Sequence, residues 1–402
     1  MSLASGLSAA LGFVYWVVAA KSFSASAVGL AGALIAIMNT VGLFGDLGLA
    51  TIFAGRAKVF SRELPRVFSG AALFACTFSL LLGLSSVAVL HFFESHSADL
   101  LSSTSHVVLF IVGVEMCALT LLTDNLAVGL LKSWVQLVRS VCFSVLKLGF
   151  LIVVATLGVD SGISIFLAWI AGGLVSLILS AILLPELKGI FAATPHLHVL
   201  RNMRGAMFGH HLINCATQGP ALLIPAFATL LISPDAGGPF YITWQIFSIL
   251  LLVPASLSTA LYAVSSSAEG ALAQRLGFTL ATSLAFSLLA SVLSYASAPL
   301  ILGIFNPSYA ETASSCLIVL STSVAAASVK CHFVAVCRIR EALISGGLLL
   351  IIAAAVEIFG AAVGAWRGGI TGLAVGFSVA SFVEIVMYLP ALVSCMRSSQ
   401  MD

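Results

Sequence analysis

Residues 27–53 read Ala-Val-Gly-Leu-Ala-Gly-Ala-Leu-Ile-Ala-Ile-Met-Asn-Thr-Val-Gly-Leu-Phe-Gly-Asp-Leu-Gly-Leu-Ala-Thr-Ile-Phe, and Asp46 is the only charged side chain among them. A helix of roughly 20 apolar residues crosses the hydrocarbon core of a bilayer, so this run is long enough to span a membrane. The rest of the chain repeats it. The 402 residues are 60% hydrophobic and 8% charged, with a mean hydropathy of +1.16. A soluble domain is about half apolar and about a quarter charged. The apolar total fills about a dozen spans and leaves too little polar sequence for a soluble catalytic domain. The chain is an all-α polytopic membrane protein. Its net charge of +2, from 17 basic and 15 acidic residues, is too small and balanced for a nucleic-acid partner.

Hydropathy places spans near 3–20, 27–53, 67–92, 105–130, 134–157, 162–184, 205–232, 238–265, 276–304, 312–336, 342–365 and 369–395. No side-chain charge precedes the first run, so it is read as a retained span and not a cleaved signal. Loop charge sets the orientation. With the N-terminus inside, 13 basic residues fall on the cytoplasmic side, among them Arg56, Lys58, Arg62, Arg66, Arg139 and Arg397. Only Lys21 and Arg367 fall outside, while the outer loops carry Glu94, Asp99, Asp160, Asp235 and Glu311. This bias follows the positive-inside rule and places both termini in the cytoplasm.

Two short segments echo each other. Residues 158–164 read Gly-Val-Asp-Ser-Gly-Ile-Ser and residues 366–372 read Trp-Arg-Gly-Gly-Ile-Thr-Gly; Leu183-Leu-Pro-Glu-Leu187 and Tyr388-Leu-Pro-Ala-Leu392 follow at matching places. The echo divides the chain into an N-terminal six-helix bundle, 1–184, a cytoplasmic linker, 185–204, and a C-terminal six-helix bundle, 205–402. Two parallel bundles around a central cavity are a transporter design.

The chain resembles the polysaccharide (O-antigen) flippase family of the multidrug/oligosaccharidyl-lipid/polysaccharide exporter superfamily. The likeness rests on Gly29-Leu30 through Leu43-Phe-Gly-Asp-Leu-Gly-Leu-Ala-Thr51 with the basic segment Arg56 to Arg66, and on Ile304-Phe-Asn-Pro-Ser-Tyr-Ala-Glu-Thr312, Ala335-Val-Cys-Arg-Ile-Arg-Glu341 and Gly368-Gly-Ile-Thr-Gly-Leu-Ala374. It covers the layout of nearly the whole chain, but only about 40 residues in motif. The resemblance implies two bundles around a cavity, and transport of polyprenyl-diphosphate-linked glycans across a bacterial inner membrane. The partners it implies are the lipid-linked glycan, membrane lipids and other polysaccharide-assembly proteins. The chain departs from the pattern in being at the short end, with no room for the two extra C-terminal spans expected of some members, and in carrying His210-His211 and Gln218-Gly-Pro220 in span seven.

Charges inside spans are expensive and face a cavity or one another. Here they are Asp46, Glu115, Asp124, Lys147, Lys330, Glu357 and Glu384. Lys147 is either a cation for the cargo's diphosphate or a partner of Glu115 or Asp124. Lys330 is its equivalent in the second half, or a residue snorkelling to an interface. Arg139 lies at the cytoplasmic mouth of the same path. Glu115 and Asp124, nine residues apart, point to opposite faces of a straight helix. Asp46 is read as a gating or bundle-stabilising residue, paired with a basic residue of the following loop. Glu357 and Glu384 bind a coupling cation or join adjacent helices, and Glu115 is read with them and Asp46 as a gating or ion-coupling residue.

The eight cysteines lie in or beside apolar runs with no CxxC pair, as packing residues do. Adjacent His210 and His211 cannot share a metal on one helix face, and His196 and His198 lie in the linker, so no metal is expected. No cofactor is expected either, because no glycine-rich run is followed by Lys-Ser/Thr. Pro220, Pro225 and Pro254 are the expected bending points. Two other functions fit a chain of this layout: a cation-coupled drug or metabolite exporter of the same superfamily, and a polytopic glycan ligase or glycosyltransferase. The short outer loops disfavour the enzyme.

Overall fold

The computed structural model describes residues 2–60, 63–92, 101, 103–190, 193–265 and 272–398. Arg62, Glu94 and Asp99, used above for loop charge, lie outside them. The described residues are helical, without a strand. In chain order the helices are α1 (Ser2–Ser22), α2 (Ala25–Gly45), α3 (Leu49–Arg56), α4 (Leu64–Phe92), α5 (Thr104–Gly129), α6 (Ser133–Thr156), α7 (Gly162–Leu183), α8 (Leu197–Asn202), α9 (Arg204–Phe227), α10 (Pro234–Leu250), α11 (Leu252–Ser265), α12 (Leu272–Phe305), α13 (Pro307–Ile339) and α14 (Leu343–Ser398). Ten helical segments of the described residues are long and apolar enough to cross a membrane, with α10 and α11 counted as one. The N-terminal helix adds a shorter apolar run, and the last segment divides in two at Gly368 and Gly369. Twelve spans fit this arrangement, and the all-α polytopic fold is the one expected.

Chain contacts separate two compact units, residues 1–238 and 239–402. In the first, α2 is the axis. Its best apolar window is 83% buried, against 17% for α6, because α4, α5, α7 and α9 all pack on it. The expected span 27–53 is broken at its end. Leu47 and Gly48 have left-handed backbones (φ 52° and 79°), and the chain restarts as the short helix α3. A Cβ at Gly48 would come within 2.4 Å of the Met207 carbonyl oxygen on α9, so only glycine permits both the turn and the approach. Leu49, Phe53, Phe68, Leu126, Leu187 and Leu200 form a core below this break. The 185–204 segment is therefore packed against α4, with its His196 amide donating to the Arg66 carbonyl (3.1 Å). α9 continues as α-helix through Pro220 and Pro225 to Phe227, and a π-helical segment, Ala228–Ile232, comes after it.

In the second unit, α13 starts where Asn306 caps Pro307-Ser308; its side chain accepts from the Ser308 amide (3.0 Å). The arms of α14 fold back on each other at Gly369 (φ 57°). Gly360, Gly364, Gly372 and Gly376 face one another, and a Cβ at Gly364 would sit 2.1 Å from the Gly372 oxygen. Small residues at this spacing bring membrane helices into backbone contact.

Candidate functional site

On α6, Lys147 follows Phe143 by one turn and is 4% exposed. Gly172 on α7 lets the α6 backbone come close, since a Cβ there would meet the Lys147 amide nitrogen at 2.8 Å. The ammonium consequently ends among rings. Its Nζ lies 3.7 Å from the Trp169 centroid, 4.6 Å from Phe143 and 4.9 Å from Tyr15. Trp169 meets Phe143 (5.2 Å, 82°) and Tyr15 (5.5 Å, 74°) edge to face, and the Tyr15 hydroxyl donates to the Ile165 carbonyl (3.1 Å), which fixes the box. Each centroid is within the roughly 6 Å range of a cation–π contact. No described carboxylate pairs with Lys147.

The acids proposed as its partners are engaged elsewhere. Arg139 holds Asp124 in a two-point bridge, Nε to Oδ1 at 2.6 Å and Nη2 to Oδ2 at 2.7 Å. Glu115 accepts from the Ser79 hydroxyl (2.9 Å), and its Oε2 is buried without a hydrogen-bond partner. The two acids thus face different helices, α6 and α4. Beside Arg139 opens a cavity of about 400 Å³ whose lining includes Asn39, Thr120, Arg139, Phe143, Trp169 and Gln218. Phe143 and Trp169 both line this cavity and hold Lys147.

Asp46 is 2% exposed, and its Oδ1 accepts from the Ala50 amide (2.8 Å). It caps the restart of the chain at α3; no basic residue of the following loop pairs with it among the described residues. The Asp-Leu-Gly pattern is thus a cap followed by a left-handed turn.

In the second unit Lys330 of α13 meets Glu357 Oε2 (2.7 Å) and Glu384 Oε2 (3.4 Å), one carboxyl from each arm of α14. Ser381 donates to Glu357 Oε1 (3.2 Å) and Tyr388 to Glu384 Oε2 (2.9 Å), while Glu384 Oε1 is buried with no partner. With both carboxyls ionised the cluster carries one negative charge in excess. Lys330 is therefore ion-paired and does not snorkel to an interface. It ends a polar seam that also joins Cys316 to Thr371 (3.6 Å) and Ser323 to Ser378 (2.6 Å), a step of seven residues on each helix.

The sequence reading missed Tyr15, Trp169, Asn39, Gln218 and Tyr388. Phe143 and Lys147, and likewise Glu384 and Tyr388, stand four residues apart, a spacing that was visible. The contribution of Tyr15, 132 positions from Lys147, left no such mark.

By sequence, no family model and no curated protein matches the chain. By structure, it is similar to a multidrug resistance MATE family transporter of the MOP superfamily in an inward-facing conformation, with TM-score 0.74, 14% identity, and 98% of this chain and 95% of that one covered. It is equally similar to the lipid II flippase MurJ in an inward closed conformation, with TM-score 0.74, 16% identity, and 100% and 90% covered. A MATE in complex with MaL6 matches at TM-score 0.63 and 14% identity, covering 100% and 96%. At such identities the likeness is one of fold, and it is the fold that the sequence resemblance implied.

Proposed function

We propose that the chain is a flippase for polyprenyl-diphosphate-linked glycans, moving them from the cytoplasmic to the outer leaflet of a bacterial inner membrane. Two six-helix bundles, 1–184 and 205–402, exchange access around the cargo, with 185–204 as their connection, and no covalent bond is made or broken. Lys147 carries this reading. A charge at bilayer depth costs roughly 2.5–3.5 kcal/mol even on the lenient scale, and here no carboxylate among the described residues offsets it. A diphosphate supplies the missing counter-charge, and Arg139, two turns earlier on α6, lines the path beside it with its own charge held by Asp124. Glu357 and Glu384 take up the coupling cation, since one charge moving through 100 mV gains about 2.3 kcal/mol.

Deleting the gene should leave the lipid-linked glycan on the inner leaflet. Wild type should clear it, Lys147→Arg in part, and Lys147→Ala not at all. Full rescue by Lys147→Ala, or no accumulation on deletion, refutes the assignment. Reporter fusions after residue 204 should read cytoplasmic and fusions at Asp235 external. Other polysaccharide-assembly proteins are the partners this reading supplies.

The excess carboxylate around Lys330, with Glu384 Oε1 unpartnered, favours a second reading, a cation-coupled drug or metabolite exporter. Resistance to cationic drugs conferred by the wild type and lost in Glu384→Gln, without any glycan phenotype, selects it.

A further inference from the structure

The cavity beside Arg139 has unused hydrogen-bonding capacity. Asn39 Oδ1 accepts from the Cys117 thiol (3.2 Å), but the Asn39 N–H donors, the Gln218 amide and the Thr120 hydroxyl have no partner among the described residues. The one charged group in the lining, Arg139, is neutralised at two points by Asp124. The remaining walls include Phe143 and Trp169.

These features select a class of ligand by elimination. An anion needs an unpaired cation in the wall, and Lys147 is turned into its aromatic box and does not line the cavity. An organic cation needs an unpaired carboxylate or rings free to hold it; the lining has no carboxylate among its described residues, and its two rings, Phe143 and Trp169, already carry the Lys147 ammonium. A purely apolar ligand would cover the two amides and the hydroxyl without pairing them, which is unfavourable. A neutral sugar meets each demand. Its hydroxyls donate and accept, as the amides and Thr120 do, and the C–H face of a pyranose lies against aromatic rings. About 400 Å³ is within the roughly 300–1,000 Å³ range of small-ligand sites, enough for a short glycan segment and not a polymer.

We infer that the Asn39–Thr120–Gln218 cavity, walled by Phe143 and Trp169, is a subsite for a neutral sugar segment. The inference deepens the flippase reading and rests on it for the identity of the cargo. The sugar occupies the cavity while the diphosphate is left to Lys147 behind the shared rings. Specificity for the glycan then resides in Asn39, Thr120 and Gln218, and the charge requirement in Lys147.

The test is saturation-transfer NMR on the full chain in lipid nanodiscs, with cellobiose and N,N′-diacetylchitobiose as probes. At least one disaccharide should bind saturably, and neither pyrophosphate nor tetraethylammonium should displace it. Gln218→Met, an exposed position that keeps side-chain length, should weaken binding at least tenfold. Thr120→Val should weaken it as well. Absence of saturable binding by both probes overturns the subsite, as does displacement by tetraethylammonium or unchanged affinity in both variants. The deletion strain separates the two proposals. Glycan accumulation without sugar binding sinks the subsite alone, whereas sugar binding without accumulation sinks the flippase reading alone.

Discussion

Replacing Lys147 by methionine isolates its charge from its packing, because the two side chains have similar length and both suit a box of rings. Removing the ammonium relieves a burial cost of about 2.5–3.5 kcal/mol. It forfeits the cation–π attraction, about 2 kcal/mol for a desolvated contact such as the one over Trp169 at 3.7 Å. The thioether regains about 0.3–1.5 kcal/mol against the same rings. The balance makes Lys147→Met about 1–3 kcal/mol more stable than wild type. A residue retained against stability in this way serves transport. The expected result is therefore a variant that resists SDS-driven unfolding in mixed micelles better than wild type and yet fails to clear the lipid-linked glycan. A Lys147→Met protein that transports normally, or that loses about 2 kcal/mol or more, would show that the cage is a structural brace.

Other measurements probe the framework. Arg139→Gln and Asp124→Asn should each lose about 3–5 kcal/mol by stranding a largely buried charge, and the double variant should lose less than the sum, read by a double-mutant cycle. Gly364→Ala should destabilise by about 1–3 kcal/mol through its contact with Gly372, whereas Gly149→Ala, with open space around its Cβ, should be neutral or stabilising by up to about 1 kcal/mol. Glu186 lies outside the spans: burial raises its carboxyl pKa, but hydrogen bonds from Lys132 and the backbone, with the Lys132 charge, outweigh this and leave it below the ordinary value. Because the folded value is the lower one, its contribution of about 0.2–1 kcal/mol is complete above the unfolded value near 4.3 and disappears as pH falls through the folded one. The stability gap between wild type and Glu186→Gln should stay constant from about pH 7 to 5 and close in more acid solution.

The membrane-spanning class, the approximate spans and the residues worth suspecting were legible in the sequence. Insertion of a helix depends on the summed transfer free energy of about 20 consecutive residues, a local quantity. The same locality made Asp46, Lys147, Lys330, Glu357 and Glu384 conspicuous, since any charge in such a run is costly wherever its neighbours are. Which groups answer those charges was decided only by tertiary structure. Asp124 meets Arg139 at a separation of 15 residues, Glu357 meets Lys330 at 27, and Ser79 meets Glu115 at 36. Each pairing depends on which helices lie side by side and how each is rotated, and glycines such as Gly172 and Gly364 set how closely they approach. Asp46 shows the difference within one motif. Its sequence suggested a salt bridge to the following loop, but the chain turns at Leu47 and Gly48, and the carboxylate is taken up by the Ala50 amide. Composition placed these charges in the bilayer; helix packing gave Asp124 and Glu357 their counter-ions and left Lys147 with aromatic rings.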